Sequence, residues 1–270
     1  MKLLLQEAKL MRLLVDAMSA VALEVAIEIS ENGFRAQARD QGSTWAVDVF
    51  IHKDEFSTWD TEEKMTFMID LKDFSDFIKT ARASDEFILD YDKKETLDLT
   101  LDSKEITKNL SLRLREVGDF KFMRITERPF FATIEIKSEL FSDAIKAAEL
   151  GDEHVTMTLS KDKLYFEAKA TSRKAEATIN FENNDSIKLL EFQNGEFTRR
   201  DGQTHPIPDT HSSTFGLKYL KHISKLGKSD SSFKVSMSHQ NPLRILIYPK
   251  GEETSYVAFA VAPRVRDNDE

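Results

Sequence analysis

From Val25 to Ala38 apolar and polar side chains alternate, pause at a polar turn and alternate again (VAIEISENGFRAQA), the signature of two antiparallel strands with one buried face. Residues 155–168, VTMTLSKDKLYFEA, repeat the pattern 130 positions later, so that Val25, Ile27, Ile29, Phe34, Ala36 and Ala38 fall on Val155, Met157, Leu159, Leu164, Phe166 and Ala168. A second register follows: LKDFSDFIKTARASDEFIL from Leu71 matches LKYLKHISKLGKSDSSFKV from Leu217 at an offset of 146. Both fit one duplicated unit whose second copy carries about 16 extra residues between Asn183 and Thr210, a run predicted to be a long surface loop. Each copy reads as strand, helix, several antiparallel strands, helix and more strands. The one-sided alternation requires helices over the apolar face, which is the α+β class. Residues 117–130, VGDFKFMRITERPF, have no sustained period and are expected to link a first domain, 1–116, to a second, 131–270.

The helix predicted from Leu217 gathers Lys218, Lys221, Lys225 and Lys228 into an arc of about 80 degrees, opposite Leu217, Leu220 and Ile223. In the first copy Lys72, Lys79 and Arg82 stand 146 positions before Lys218, Lys225 and Lys228, opposite Leu71, Phe74, Phe77 and Ile78. One lysine run on a helix is ordinary solvated surface. Its recurrence at the repeat spacing makes it a property of the duplicated unit. Lys9 and Arg12 share a side of the first predicted helix with Asp16, and the third helix offers mainly Lys146.

The chain of 270 residues carries −9, and taking the seven stripe cations from that leaves −16 for the remainder. Such segregation suits a polyanion held against one face. Neither base-reading Arg or Asn nor stacking aromatics accompany the stripes. They offer phosphate attraction without sequence information, which permits sliding.

Other chemistries find little footing. There is no cysteine, which excludes disulfides, thiol nucleophiles and Cys-ligated metals and fits a reducing compartment. Charged residues interrupt the apolar amino end before it could serve as a signal peptide, and no run approaches the roughly 20 apolar residues that span a bilayer, so a cytosolic location is expected. Gly227-Lys228-Ser229 lacks the upstream glycine of a phosphate loop, since that place is His222. His205, Asp209 and His211 straddle two prolines without a fourth ligand, and a polar loop is the favoured reading over a metal site. The acids Asp90, Asp92, Asp98 and Asp102 read as solvated sheet surface, and His52, His154, His222 and His239 are scattered singly. No catalytic residue, metal site or cofactor is assigned.

Several short segments in order resemble the archaeal and eukaryotic type of DNA sliding clamp, the proliferating cell nuclear antigen family. They are Ala262-Pro263-Arg264-Val265, Leu217-Lys218-Tyr219-Leu220, Phe141-Ser142-Asp143-Ala144-Ile145-Lys146, Asn32-Gly33-Phe34 through Asp40, and Asn241-Pro242-Leu243. The resemblance implies two similar domains with sheets outside and helices inside, three subunits closing a ring around duplex DNA, and no enzymatic activity. By family position Lys9, Arg12, Lys79, Lys146, Lys218 and Lys225 would approach the DNA, and helix phase adds Lys72, Arg82, Lys221 and Lys228. Ring closure would pair edge strands 109–116 and 175–182, with Leu110, Leu112 and Leu114 alternating on one and Ala177, Ile179 and Phe181 on the other. An apolar cleft for partner peptides would involve Phe122, Met123, Ile125, Pro129, Pro242, Ala260, Val261, Ala262 and Pro263. Arg39 departs from the methionine usual there, and Lys121, Arg124 and Arg128 make the linker unusually basic. Implied partners are double-stranded DNA, a DNA polymerase, an ATP-driven clamp loader and other replication or repair proteins. The location would be cytoplasmic at the nucleoid in an archaeon and nuclear in a eukaryote. One subunit of a heterotrimeric or checkpoint clamp is the nearest alternative, and an enzyme with an unrecognised carboxylate or histidine site is the rival from another class.

Overall fold

A computed structural model describes residues 1–264 except 62, 93–94, 128, 199–201, 228–230 and 252. The chain divides into two compact units, Met1–Met123 with Tyr248–Val257, and Arg124–Ile247 with the chain from Ala258 onward. The division falls inside the segment 117–130, which contains no helix or strand among its described residues.

The first unit runs β1 (Lys2–Leu5), α1 (Ala8–Met18), β2 (Glu24–Ser30), β3 (Gly33–Arg39), β4 (Trp45–His52), β5 (Thr58–Asp60), β6 (Met65–Asp70), α2 (Leu71–Lys79), β7 (Glu86–Asp90), β8 (Thr96–Asp102) and β9 (Thr107–Arg113). Its strands order as β4-β3-β2-β6 and as β5-β1-β7-β8-β9. Both helices pack on strands of both sets, α1 on β4 and β7 and α2 on β2, β6 and β9. Helix α1 buries Leu10, Met11, Leu14, Val15 and Met18, and α2 buries Leu71, Phe74 and Ile78. Asp70 caps α2 by accepting from the Lys72 and Asp73 amides, two of the orphan donors at a helix start.

The second unit repeats the plan: β10 (Ala132–Lys137), α3 (Ser138–Ala148), β11 (His154–Leu159), β12 (Lys163–Lys169), β13 (Lys174–Asn180), β14 (Ile187–Phe192), β15 (Gly195–Thr198), β16 (Thr204–Ile207), β17 (His211–Gly216), α4 (Leu217–Ser224), β18 (Ser232–Met237), β19 (Leu243–Ile247) and β20 (Tyr256–Val261). Its strands order as β13-β12-β11-β17 and as β14-β10-β18-β19-β20, the same two sequences of equivalent strands as in the first unit. Phe141 on α3, fully buried, meets Phe166 and Phe233 with ring centroids 6.2 and 5.5 Å away.

Three local expectations are corrected. The predicted loop 183–210 contains β14, paired to β10, and the β15–β16 hairpin, which has no counterpart in the first unit. His211 is fully buried, its Nε2–H donating to the Gln193 carbonyl at 3.3 Å, so it belongs to packing rather than to a polar loop. Burial pushes its pKa down, which keeps the ring neutral. The lysine helices also stop early, at Lys79 and Ser224. Beyond α4, Gly227 is fixed by packing: a Cβ there would lie 2.3 Å from the Ser138 Cβ. Gly33, at φ +153°, likewise has no room for a side chain, since a Cβ would sit 2.2 Å from the Ile51 carbonyl oxygen.

Candidate nucleic-acid interface and partner surfaces

Amphipathicity decides where the cations stand. On every helix the buried residues are mainly apolar, and Lys9, Arg12, Lys72, Lys79, Lys146, Lys218, Lys221 and Lys225 are exposed on or just past the solvent faces. Their charges are not equally available. Lys72 is held by Asp76 at 2.7 Å, Lys146 by Asp143 at 2.9 Å and Lys221 by Glu149 at 2.8 Å. Asp76 raises the pKa of the Lys72 ammonium above its ordinary value by accepting its hydrogen bond. Lys9, Arg12, Lys79, Lys218 and Lys225 have no carboxylate within ion-pair distance among the described residues.

The stripe is therefore less uniform than the lysine spacing implies. Asp76 lies between Lys72 and Lys79 on the exposed face of α2, and Glu139 and Asp143 share the exposed face of α3 with Lys146. Arg82 lies past the end of α2, so helical phase does not place it, and its guanidinium pairs with Glu105 at 2.7 Å. Lys228 lies outside the described residues. On α4 the exposed cations stand beside the half-buried Tyr219 and His222, with no acid on the helix.

The strands expected at a subunit boundary both lie at sheet edges, β9 ending its set and β13 ending the other. Their apolar faces point inward. Leu112 and Ile179 are 4% and 6% exposed, whereas Leu110 and Ala177 are half-buried. Leu114 and Phe181 fall just beyond the strands, their amides donating to the Glu95 and Asp162 carbonyls. What the edges offer is a row of backbone groups flanked by polar side chains: Thr107, Asn109, Ser111 and Arg113 on β9, and Lys174, Glu176, Thr178 and Asn180 on β13. An edge with unpaired backbone is a template for another strand.

The linker residues are tied down by groups that the sequence reading did not single out. In the first unit Gln37 grips Met123 from both sides, accepting from its amide at 2.7 Å and donating to its carbonyl at 3.0 Å. Arg35 donates to the same carbonyl at 2.8 Å and forms a two-point pair with the buried Asp48 at 2.8 and 2.9 Å. Burial pushes the Asp48 carboxyl up in pKa, against the pull of the guanidinium. The Arg35 guanidinium also lies over Phe122, 5.0 Å from the ring centroid, and Arg39 lies over Phe120 at the same distance. The available signal was Asp48 alone in the apolar strand WAVDVFIH, directly across from Gln37.

In the second unit Arg244 plays the corresponding part, donating to the Thr126 carbonyl at 2.8 Å and lying over Phe130 at 4.5 Å. Of the predicted cleft residues there, Ile125 and Val261 are sealed in the core at 2% and 0% exposure. Pro129 is exposed, and Pro242, Ala260, Ala262 and Pro263 are half-buried. Arg264 fixes the chain beyond them by donating its amide to the Thr214 carbonyl at 2.7 Å. Among the described residues no cluster of three His, Asp or Glu could hold a metal.

Duplicated units of identical strand order, each with an exposed cationic helix, define the architecture of a DNA clamp. Residues 1–121 match the family model for the proliferating cell nuclear antigen, N-terminal domain. Over 253 residues the chain is 28% identical to a DNA polymerase sliding clamp of Methanococcus maripaludis, covering 93% of this chain and 94% of that one. PCNA of Thermococcus kodakaraensis superposes with a TM-score of 0.82 at 19% identity, over 97% of this chain and 99% of that one. The A. fulgidus PCNA bound to the C-terminal region of FEN-1 gives 0.79 at 23% identity, over 98% of each chain. The structural likeness establishes the clamp fold, and with the sequence matches it supports a sliding clamp of the PCNA type.

Proposed function

We propose that this protein is a DNA sliding clamp, a processivity factor that encircles duplex DNA and tethers a polymerase and other replication or repair proteins. The carrying observation is the matched pair Lys79 and Lys225, equivalent by duplication, exposed and free of carboxylate partners among the described residues. Lys9, Arg12 and Lys218 join them as cations without a carboxylate in ion-pair reach among the described residues, Lys218 lying over the Tyr219 ring. Lys72, Lys146 and Lys221 approach phosphate only after giving up a neighbouring acid. Exposed charges of this kind bind phosphate weakly and without base preference, so retention has to come from topological linkage.

Three copies close the ring, β9 of one copy pairing with β13 of the next, which satisfies backbone groups each copy leaves open. Pro129, Pro242, Ala260, Ala262 and Pro263, the predicted cleft residues of the second unit that the core does not seal, supply apolar surface for partner peptides. The protein performs no catalysis of its own. With a clamp loader, ATP and polymerase, extension on a primed circular template should lengthen severalfold over that on a linear template with free ends. Equal extension on the two would refute the reading, and turnover of a substrate without DNA would favour the rival enzyme.

A further inference from the structure

The β15–β16 hairpin, which the first unit lacks, joins neither of the larger sheets of the second unit: its two strands pair only with each other. A lone two-stranded ribbon is marginal in water, so contacts at its root have to hold it. All four residues of β15 are exposed, Phe197 at 39%. The Phe197 ring stands edge-on to Phe131 with centroids 5.3 Å apart, and Ile207 at the far end of the hairpin is buried.

His211 sits at that root, fully buried, stacked on Phe131 at 6.0 Å and tilted against Phe192 at 5.1 Å. A carbonyl only accepts, so the bond to Gln193, two residues before β15, fixes the ring proton on Nε2. Nδ1 is left as a buried lone pair with no hydrogen-bond partner among the described residues. A second proton there would find no acceptor and no counter-charge. The acids flanking the hairpin, Glu191 and Asp209, accept from the side-chain amides of Gln193 and Asn194. The charged groups that reach the cluster are cationic: Lys161 lies over the Phe192 ring at 5.7 Å, and a charge on the exposed His239 opposes one on His211. The hairpin's own titratable side chain is His205. An unpaired buried charge is among the costliest groups a fold can hold, and a marginal ribbon is among the cheapest to release.

We propose that His211 is a proton-operated latch on the β15–β16 hairpin: the neutral ring holds the hairpin down, and the charged ring leaves the slot between Phe131 and Phe192, freeing the hairpin and uncovering both rings. His211 is the first residue of β17, so its ring can swing out while β17 keeps the rest of its pairing with β11. Burial holds its pKa below the ordinary 6.5. The closed state is therefore fully favoured above that value and loses ground as the pH falls below it.

The test is amide hydrogen exchange on the full-length chain, corrected for the intrinsic rate at each pH. From pH 7.5 to pH 5.5 the protection of the β15 and β16 amides should fall about tenfold, the factor for one proton taken up on release by a group of pKa 6.5, while β11 and β18 keep theirs. His211→Gln, which retains a donor for the Gln193 carbonyl and takes up no proton, should hold the hairpin's protection constant within twofold. His205→Gln and His239→Gln should leave the tenfold fall in place. If His211→Gln loosens the hairpin at every pH, the imidazole nitrogen resonances of the parent decide: His211 should pass from the neutral Nε2–H form to the charged form in step with the loss of protection. The proposal is overturned if protection is the same at both pH values, if it still falls in His211→Gln, if His205→Gln or His239→Gln abolishes the fall, if β11 and β18 lose protection in parallel, or if the His211 ring stays neutral while the hairpin opens.

Discussion

Reversing Lys79 and Lys225 together, as Lys79→Glu with Lys225→Glu, should cut loader-dependent polymerase stimulation more than tenfold while the protein melts within a few degrees of the parent. Both side chains are exposed and neither has a carboxylate within ion-pair distance among the described residues, so the fold loses little, as surface substitutions usually cost within about 0.5 kcal/mol. Each phosphate contact adds close to one unit to the dependence of log affinity on log salt, and in the proposed ring of three copies each substitution counts three times. The remaining activity should therefore fall less steeply as salt rises. Lys72→Glu provides the contrast. Lys72 already shares its charge with Asp76, so its reversal should cost much less than that of Lys79. Equal losses at Lys72 and Lys79 would show that the ion pairs do not grade the DNA-facing surface.

The second large effect belongs to the core. Phe141→Ala should destabilise the protein by about 3–5 kcal/mol, since it empties a fully buried site between Phe166 and Phe233 that the surrounding strands cannot collapse to fill. The melting midpoint should drop by on the order of 10 °C. Phe141→Met should cost under about 1.5 kcal/mol, because Met11 fills the equivalent place in the first unit, 130 positions earlier, and is also fully buried. Thermal melts of the two variants separate the cases. A Met variant as unstable as the Ala variant would mean that the two cores do not share their packing.

The duplication was legible because a strand with one buried face writes its period directly into the sequence. The residues matched at offsets 130 and 146, such as Ile27 with Met157 and Phe87 with Phe233, are indeed core in both units. Charge on α2 was harder to read. Counting lysines ignored Asp76, which the same helical arithmetic places among them. Periodicity also carried the stripe past Lys79 to Arg82, although it cannot say where a helix stops. The hairpin Gly195–Ile207 read as loop because its strands are four residues each and β15 has no buried face to impose alternation. Arg35, Gln37 and Asp48 stayed hidden for another reason. Their polarity looks like solvent-facing strand, and only the linker backbone arriving at Met123 turns it into a buried network. Arg244 was missed in the same way, since only the linker backbone arriving at Thr126 shows what it holds.

The central claim is that the chain is held on DNA by enclosure and not by grip. The direct measurement is to load the protein onto a nicked circular plasmid, isolate the complex at moderate salt, and compare how long it stays bound before and after a single restriction cut. Enclosure predicts retention on the circle and release within moments of linearisation. Equal lifetimes on circle and linear DNA would contradict it.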